Sequence, residues 1–180
     1  MNILISGVGG QGTLLASRVL GKYALEKGFD CKLSEVHGMA QRGGSVVTHV
    51  KIGEKIYSPL VEEGDADIVI SFEKLEALRS LPFLKKDGIM IYSTQKILPM
   101  PVVIGAAEYP QTQINNAYSL DADGIAEKLG NKRVANTVML GLFTRLAKFD
   151  YEVMKKSLKE CVPEKAMQIN MQAFDTGYNQ

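Results

Sequence analysis

MNILISGVGGQGTLLASRVLG, residues 1–21, passes from an apolar run through a glycine-rich turn into a helical pattern. Asn2 to Ser6 reads as a strand, and its Ile3-Leu4-Ile5 centre is apolar on both sides, as in a parallel strand buried between helices. Ala16, Val19, Leu20, Tyr23 and Ala24 then recur at helical spacing, with Gly28 placed to accept a left-handed C-cap. Phe29 to Glu35 is the expected second strand. Strand, glycine turn, helix and strand make a βαβ unit with a right-handed crossover.

Gly7, Gly9 and Gly12 have the GxGxxG spacing directly after a strand and at the opening of a helix. The first glycine permits the turn, the second lets backbone approach a ligand, and the third lets helix and strand pack closely. The helix N-terminus behind them suits phosphate. Two readings stay open. One is a dinucleotide site using Glu35, or less well Asp30, on a ribose; the other is a sharp turn that carries no nucleotide. Gln11 and Thr13 either cap the helix or face a ligand.

Downstream, Ser34 to Ser45 reads as a long polar loop, and Val46 to Ile52 as one arm of an antiparallel hairpin that turns at Gly53-Glu54 into Lys55-Ile56-Tyr57. Ala66 to Phe72 and Gly88 to Ser93 are buried strands, separated by a short helix over Glu73 to Leu81. Pro99 and Pro101 punctuate a less regular stretch that reaches about Asn116. Ala117 to Leu120 is a further strand, followed by a helix near Asp123 to Leu129. Another helix carries Val138, Met139, Leu142, Phe143 and Leu146 on one stripe, and Gly141 within it implies close packing against a neighbour. Asp150 caps a helix that runs through Glu160, and Pro163 opens the last helical segment. This order predicts an α/β fold: a Rossmann-like, mostly parallel sheet with helices on both faces and an antiparallel hairpin insertion, within one domain over residues 1–180.

The chain has 21 Lys and Arg against 20 Asp and Glu, with 46% hydrophobic residues and no Trp. Such balance provides no strong field for nucleic acid or an anionic membrane, and no base-stacking platform. Neither a signal peptide nor a membrane span is legible, so a cytoplasmic protein is expected. Cys31 and Cys161 form no CxxC pair and have no His cluster beside them, too few ligands for a four-cysteine iron–sulfur cluster and no metal site.

The segment His37-Gly38-Met39-Ala40-Gln41-Arg42-Gly43-Gly44-Ser45 is polar and glycine-punctuated. It should lie at the carboxyl edge of the sheet beside the first glycine turn, where open α/β sheets bind ligands. Arg42 can pair with a phosphate or carboxylate, and His37 can donate a hydrogen bond. The alternative is a solvated surface loop whose Arg42 pairs with Glu35 or a nearby acid. His49 reads as structural.

Gly7-Val8-Gly9-Gly10-Gln11-Gly12, Ser34 to Ser45, Tyr57-Ser58-Pro59-Leu60, Gly64-Asp65-Ala66-Asp67, Phe72 to Arg79 and Asn131 to Gly141 occur in the order seen in the gamma-type domain of 2-oxoacid:ferredoxin oxidoreductases, which the chain resembles over nearly its whole length. Among the branches of that family, the small subunits of indolepyruvate-type enzymes are most similar. The resemblance implies one subunit of an enzyme that decarboxylates 2-oxoacids oxidatively to acyl-CoA and passes electrons to ferredoxin. Thiamine diphosphate and iron–sulfur clusters would then sit on a larger alpha subunit, coenzyme A would be a co-substrate, and this chain would be inert alone, with a homodimer possible when isolated. The pyruvate, ketoisovalerate and 2-oxoglutarate branches are the alternative, and a stand-alone NAD-binding protein a more distant one. The expected wall of the partner-completed site consists of Gly7, Gly9, Gly10, Gln11, Gly12, Glu35, His37, Gly38, Gln41, Arg42 and Gly43.

Overall fold

The computed structural model describes residues 1–38, 44–112, 114 and 117–180. Strand β1 (Asn2–Val8) leads through the glycine turn into α1 (Thr13–Glu26). Strands β2 (Asp30–His37), β3 (Ser45–Gly53) and β4 (Ala66–Ser71) follow, then α2 (Lys74–Ser80) and β5 (Leu84–Ser93). A four-residue helix, α3 (Met100–Val103), and the short strand β6 (Ala117–Leu120) come next. Helices α4 (Ala122–Lys128), α5 (Ala135–Leu146), α6 (Tyr151–Cys161) and α7 (Met167–Tyr178) complete the chain.

The six strands are ordered β2-β3-β1-β4-β5-β6. Strands β1, β4, β5 and β6 pair in parallel, whereas β3 runs antiparallel to both β1 and β2. The expected α/β class with an antiparallel insertion is therefore present, but the insertion differs from the sequence reading. The long loop does not begin at Ser34, because β2 continues to His37. Nor does the hairpin pair Val46 to Ile52 with Lys55 to Tyr57. Both edges of β3 are already occupied by β1 and β2, so no place is left for a third partner.

Connection length explains this topology. Residues 38–44 join β2 to β3, and a parallel return needs a crossover of roughly a dozen residues or more, so β3 must turn back against β2. It thereby fills the place beside β1 that a simple βαβ unit would have given to β2.

Alternation along β1 explains the two-sided apolar run. Ile3 and Ile5 join Val50, Ile68, Ile70, Met139, Phe143 and Phe174 in the larger core, under α1 and the C-terminal helices. Leu4 points the other way, into a core with Val61, Val69, Ala77 and Met90 beneath α2. Gly141 faces α7 as its sequence context implied: a Cβ at Gly141 would collide with the Phe174 carbonyl, and one at Gly177 with that of Val138. The two helices touch backbone to backbone.

The Gly64-Asp65-Ala66-Asp67 stretch closes the amino-terminal end of the sheet. Asp67 Oδ2 accepts the Asn2 amide at 2.6 Å and Oδ1 accepts Lys85 Nζ at 2.5 Å, while Asp65 Oδ2 accepts Asn2 Nδ2 at 2.7 Å. That motif is structural. His49 is too: its Nδ1 accepts the Val61 amide at 3.2 Å, and burial holds its pKa below the usual histidine value.

Candidate functional site at the carboxyl edge of the sheet

A cleft of about 360 Å³ opens at the carboxyl ends of the parallel strands. Gly10, Gln11 and Gly12 line it from the turn after β1, Phe72 from the end of β4, Ser93, Gln95 and Ile97 from β5 and the segment beyond it. Ala122 and Asp123 come from the start of α4, and Lys132, Arg133 and Asn136 from the approach to α5. Each wall segment emerges from the same end of the sheet, which is where parallel sheets gather ligand groups. A wider groove of about 760 Å³ lies at the opposite end, along Lys85, Asp87 and Lys148. Its Lys85 is engaged by Asp67 in the clasp described above.

Within the cleft Gln11 is a strut. Its Oε1 accepts the Val8 amide at 2.7 Å, and its Nε2 donates to the Phe72 carbonyl at 3.0 Å and to Gln95 Oε1 at 2.5 Å. The amide thus binds protein groups rather than projecting freely into the cleft. Gly12 supplies the N-cap of α1 at φ 85°, without a side-chain cap. A Cβ there would run into Asn136 Nδ2, so this glycine is required both by its left-handed backbone and by the approach of α5.

Asp123 stands on the opposite wall, with its Oδ2 3.4 Å from the Ser93 hydroxyl that donates to it. Burial pushes its pKa above the usual carboxylate value, the Ser93 hydrogen bond and Lys132 opposing the shift and Asp121 adding to it. Lys132 and Arg133 are exposed. Lys132 pairs with Glu127 at 3.2 Å across open solvent, a contact weak enough to yield to a ligand anion.

The cleft brings together Gly10, Gln11 and Gly12 of the expected wall, but not Glu35, His37 or Gly38. Glu35 Oε2 accepts the Thr48 hydroxyl at 3.1 Å and Oε1 lies 2.8 Å from His37 Nε2. Both residues belong to β2, and β3 separates that strand from β1 by two strand spacings, or roughly 10 Å. An acidic residue that reads a ribose must end the strand beside the glycine turn, so the dinucleotide reading loses its Glu35.

The hairpin nevertheless meets the turn. Gly9 N–H donates to the Gly44 carbonyl at 2.9 Å, and Gly38 N–H to the Ser45 carbonyl at 2.8 Å. Gly7 belongs to β1, opposite Val46. Gln41, Arg42 and Gly43 lie outside the described residues.

Sequence reading had not selected Ser93, Gln95, Asp123, Lys132, Arg133 or Asn136. For Ser93, Gln95 and Asp123 a signal existed, since they sit at or just past the ends of recognisable strands. Lys132-Arg133 sat in a quoted motif without an assigned role. Asn136 lay in the same motif, also without an assigned role, because its place in the cleft depends on the approach of α5 to Gly12.

Residues 2–180 match the family model described as pyruvate ferredoxin/flavodoxin oxidoreductase. The chain belongs to this family. Within it, the chain is 40% identical to the indolepyruvate oxidoreductase subunit IorB of Pyrococcus horikoshii, over 98% of this chain and 93% of that one. It is 37% identical to the IorB subunit of Archaeoglobus fulgidus, over 100% and 94% of the two chains. Pyruvate synthase subunit PorC of Methanocaldococcus jannaschii is 28% identical over 100% and 96%.

The fold of this oxidoreductase family member is similar to that of pyruvate oxidoreductase subunit PORC from Thermotoga maritima, with a TM-score of 0.77 at 24% identity and coverage of 100% and 96%. It also matches a 2-oxoglutarate:ferredoxin oxidoreductase from Magnetococcus marinus, with a TM-score of 0.76 at 18% identity, over 99% of this chain and 30% of that one. The expected α/β architecture and family membership both hold.

Proposed function

We propose that this chain is the small subunit of an indolepyruvate, or more broadly arylpyruvate, ferredoxin oxidoreductase. The supporting observation is a gradient of identity: the IorB relatives stand at 34–40% over nearly full length, whereas pyruvate, ketoisovalerate and 2-oxoglutarate relatives stand at 26–30%. The enzyme is cytoplasmic and converts a 2-oxoacid and coenzyme A into acyl-CoA and carbon dioxide, with two electrons leaving to ferredoxin.

Thiamine diphosphate and the iron–sulfur clusters supply the decarboxylation and electron-relay chemistry from a larger alpha subunit. The donor set of this chain does not fit a four-cysteine cluster, since its two thiols, Cys31 and Cys161, are partly buried on β2 and at the end of α6. Among the described residues no three His, Cys, Asp or Glu side chains gather as a metal site. What the chain contributes is a wall for coenzyme A. Lys132 and Arg133 offer cations to its phosphates, Gln11 and Gln95 hold the floor, and Asp123 is placed to pair with a hydrogen-bond donor.

The test is reconstitution with the larger subunit. The complex should reduce ferredoxin or a viologen dye with indolepyruvate and coenzyme A, at a higher kcat/KM than with pyruvate, ketoisovalerate or 2-oxoglutarate, and neither this chain nor its partner should do so alone. Preference for one of the other three acids would move the chain to that branch. Turnover by this chain alone would sink the subunit reading.

A further inference from the structure

Glu73 stands between β4 and α2 and is 1% exposed, and its carboxylate gathers three donors from separate parts of the chain. Oε2 accepts the Glu76 amide at 2.9 Å and so caps α2. Oε1 accepts the Ile97 amide at 3.0 Å and the Tyr109 hydroxyl at 2.9 Å. A buried carboxylate is costly to desolvate, and capping alone would favour the shorter aspartate. The extra length of the glutamate serves its second oxygen, which reaches groups 24 and 36 residues along the chain.

Those two groups decide where one wall of the cleft stands. Beyond β5 the Gln95 carbonyl accepts the Lys74 amide at 2.9 Å, Gln95 Oε1 accepts Gln11 Nε2, and the Ile97 N–H ends on Glu73. Gln95 and Ile97 both line the cleft. The chain then leaves the body of the molecule, with Leu98, Met100, Val103 and Ile104 exposed around the four-residue α3, and brings little packing of its own to steady the wall. It returns at Tyr109, which is buried. Burial and the adjoining Glu73 carboxylate push the pKa of this phenol above its ordinary value, so the hydroxyl keeps its proton and donates. One oxygen of Glu73 thus closes both ends of the 97–109 excursion.

We propose that Glu73 is a positioning residue: together with Tyr109 it fixes the Gln95–Ile97 stretch as a preformed wall of the cleft, so that Ile97 meets bound coenzyme A without having to be ordered by it. This rests on the reading that the cleft takes coenzyme A. A wall held in place before binding loses less entropy when the ligand arrives, so its effect falls on affinity more than on turnover.

The experiment uses the reconstituted complex, with hydrogen exchange and steady-state kinetics measured on the same variants. Tyr109→Phe keeps the ring and removes one hydrogen bond, and should raise KM for coenzyme A about fivefold while kcat stays within about twofold. Exchange at the Ile97 amide should accelerate at least about tenfold, while amides in the centre of β4 stay protected. Glu73→Asp separates capping from positioning: it retains a good N-cap for α2 but is one methylene too short to reach Ile97 as well, and should move both readouts at least as far as Tyr109→Phe. Unchanged exchange at Ile97 in both variants would overturn the tether. Accelerated exchange with normal KM, while Arg133→Ala raises KM, would overturn the positioning role and leave the coenzyme reading intact. Normal KM in all three variants would overturn the coenzyme reading, and the positioning role with it.

Discussion

Gln11 Nε2 lies 2.5 Å from Gln95 Oε1, joining the turn after β1 to the segment after β5 across the end of β4. The same amide holds the Phe72 carbonyl and the Val8 amide, so one side chain ties three adjacent strand ends at the floor of the cleft. A glycine-rich turn makes few contacts of its own, and this strut supplies the rigidity that its backbone lacks.

Gln11→Ala should therefore destabilise the protein by about 2–3 kcal/mol, because three partly buried hydrogen bonds are lost and their partners are left to find water. Gln11→Glu keeps the acceptor for Val8 but places a carboxylate oxygen against the Phe72 carbonyl, and should be no better than the alanine variant. Urea denaturation of both variants and the parent measures this; a loss under about 0.5 kcal/mol in each would mean that the strut contributes nothing to stability.

The Gly12–Asn136 approach makes a second prediction. Gly12→Ala meets two penalties, a left-handed backbone worth about 1–2 kcal/mol and a collision with the Asn136 amide. Only the second can be relieved from the other side. In a double-mutant cycle, Asn136→Ala should cost less in the Gly12→Ala background than in the parent, with a coupling of about 1 kcal/mol or more. Additive losses would show that α5 does not press on this glycine.

The glycine turn that floors the cleft was legible in the sequence, the rest of the cleft was not, and the difference has a definite cause. The β1 strand, its glycine turn and α1 announced themselves through local periodicity and glycine spacing, and Asp150 through capping chemistry confirmed by its bond to the Val153 amide. Strand order was not local. Nothing within residues 29–57 says that β3 inserts beside β1; the short return from His37 to Ser45 carries that information only once β2 is known to reach His37. The same displacement moved Glu35 from the cleft to the sheet edge. Lys132, Arg133 and Asn136 enter the cleft because α5 packs against α1 and the turn, a tertiary fact that no spacing rule encodes.

If the cations at the cleft mouth bind coenzyme phosphates, Arg133→Ala should raise KM for coenzyme A in the assembled enzyme by about 10- to 100-fold, the range of a charge-assisted hydrogen bond of about 1.5–3 kcal/mol. Lys132→Ala should do less, since that ammonium already shares its charge with Glu127. Raising the salt concentration should shrink both differences. Steady-state titration of coenzyme A at two ionic strengths checks this, and KM values within about twofold of the parent would remove these residues from the site.

Asp123 makes the cleft pH-sensitive, and the direction follows from its burial. Its carboxyl titrates above its ordinary value of 3.8, so between that value and the folded pKa the native state binds more protons than the unfolded chain. Stability from this group is then fully present below pH 3.8 and is lost as pH rises through the folded pKa, the reverse of a salt-bridged aspartate. Asp123→Asn, which keeps the shape and removes the charge, should consequently be more stable than the parent at pH 7. That advantage should shrink as the pH falls and vanish once Asp123 is protonated in both states. Lys132→Ala removes a charge that holds the carboxyl down, so in that background the asparagine advantage should keep growing to higher pH before it levels off, while the low-pH point at which the two curves meet, set by the unfolded chain, should not move. Urea denaturation from pH 3 to pH 8, the span of about five units over which carboxylates of this kind titrate, supplies the curves. An asparagine variant less stable than the parent at pH 7 would mean that the carboxylate is held by donors strong enough to outweigh its burial, and Asp123 would then be a fixed anion of the cleft rather than its titrating group.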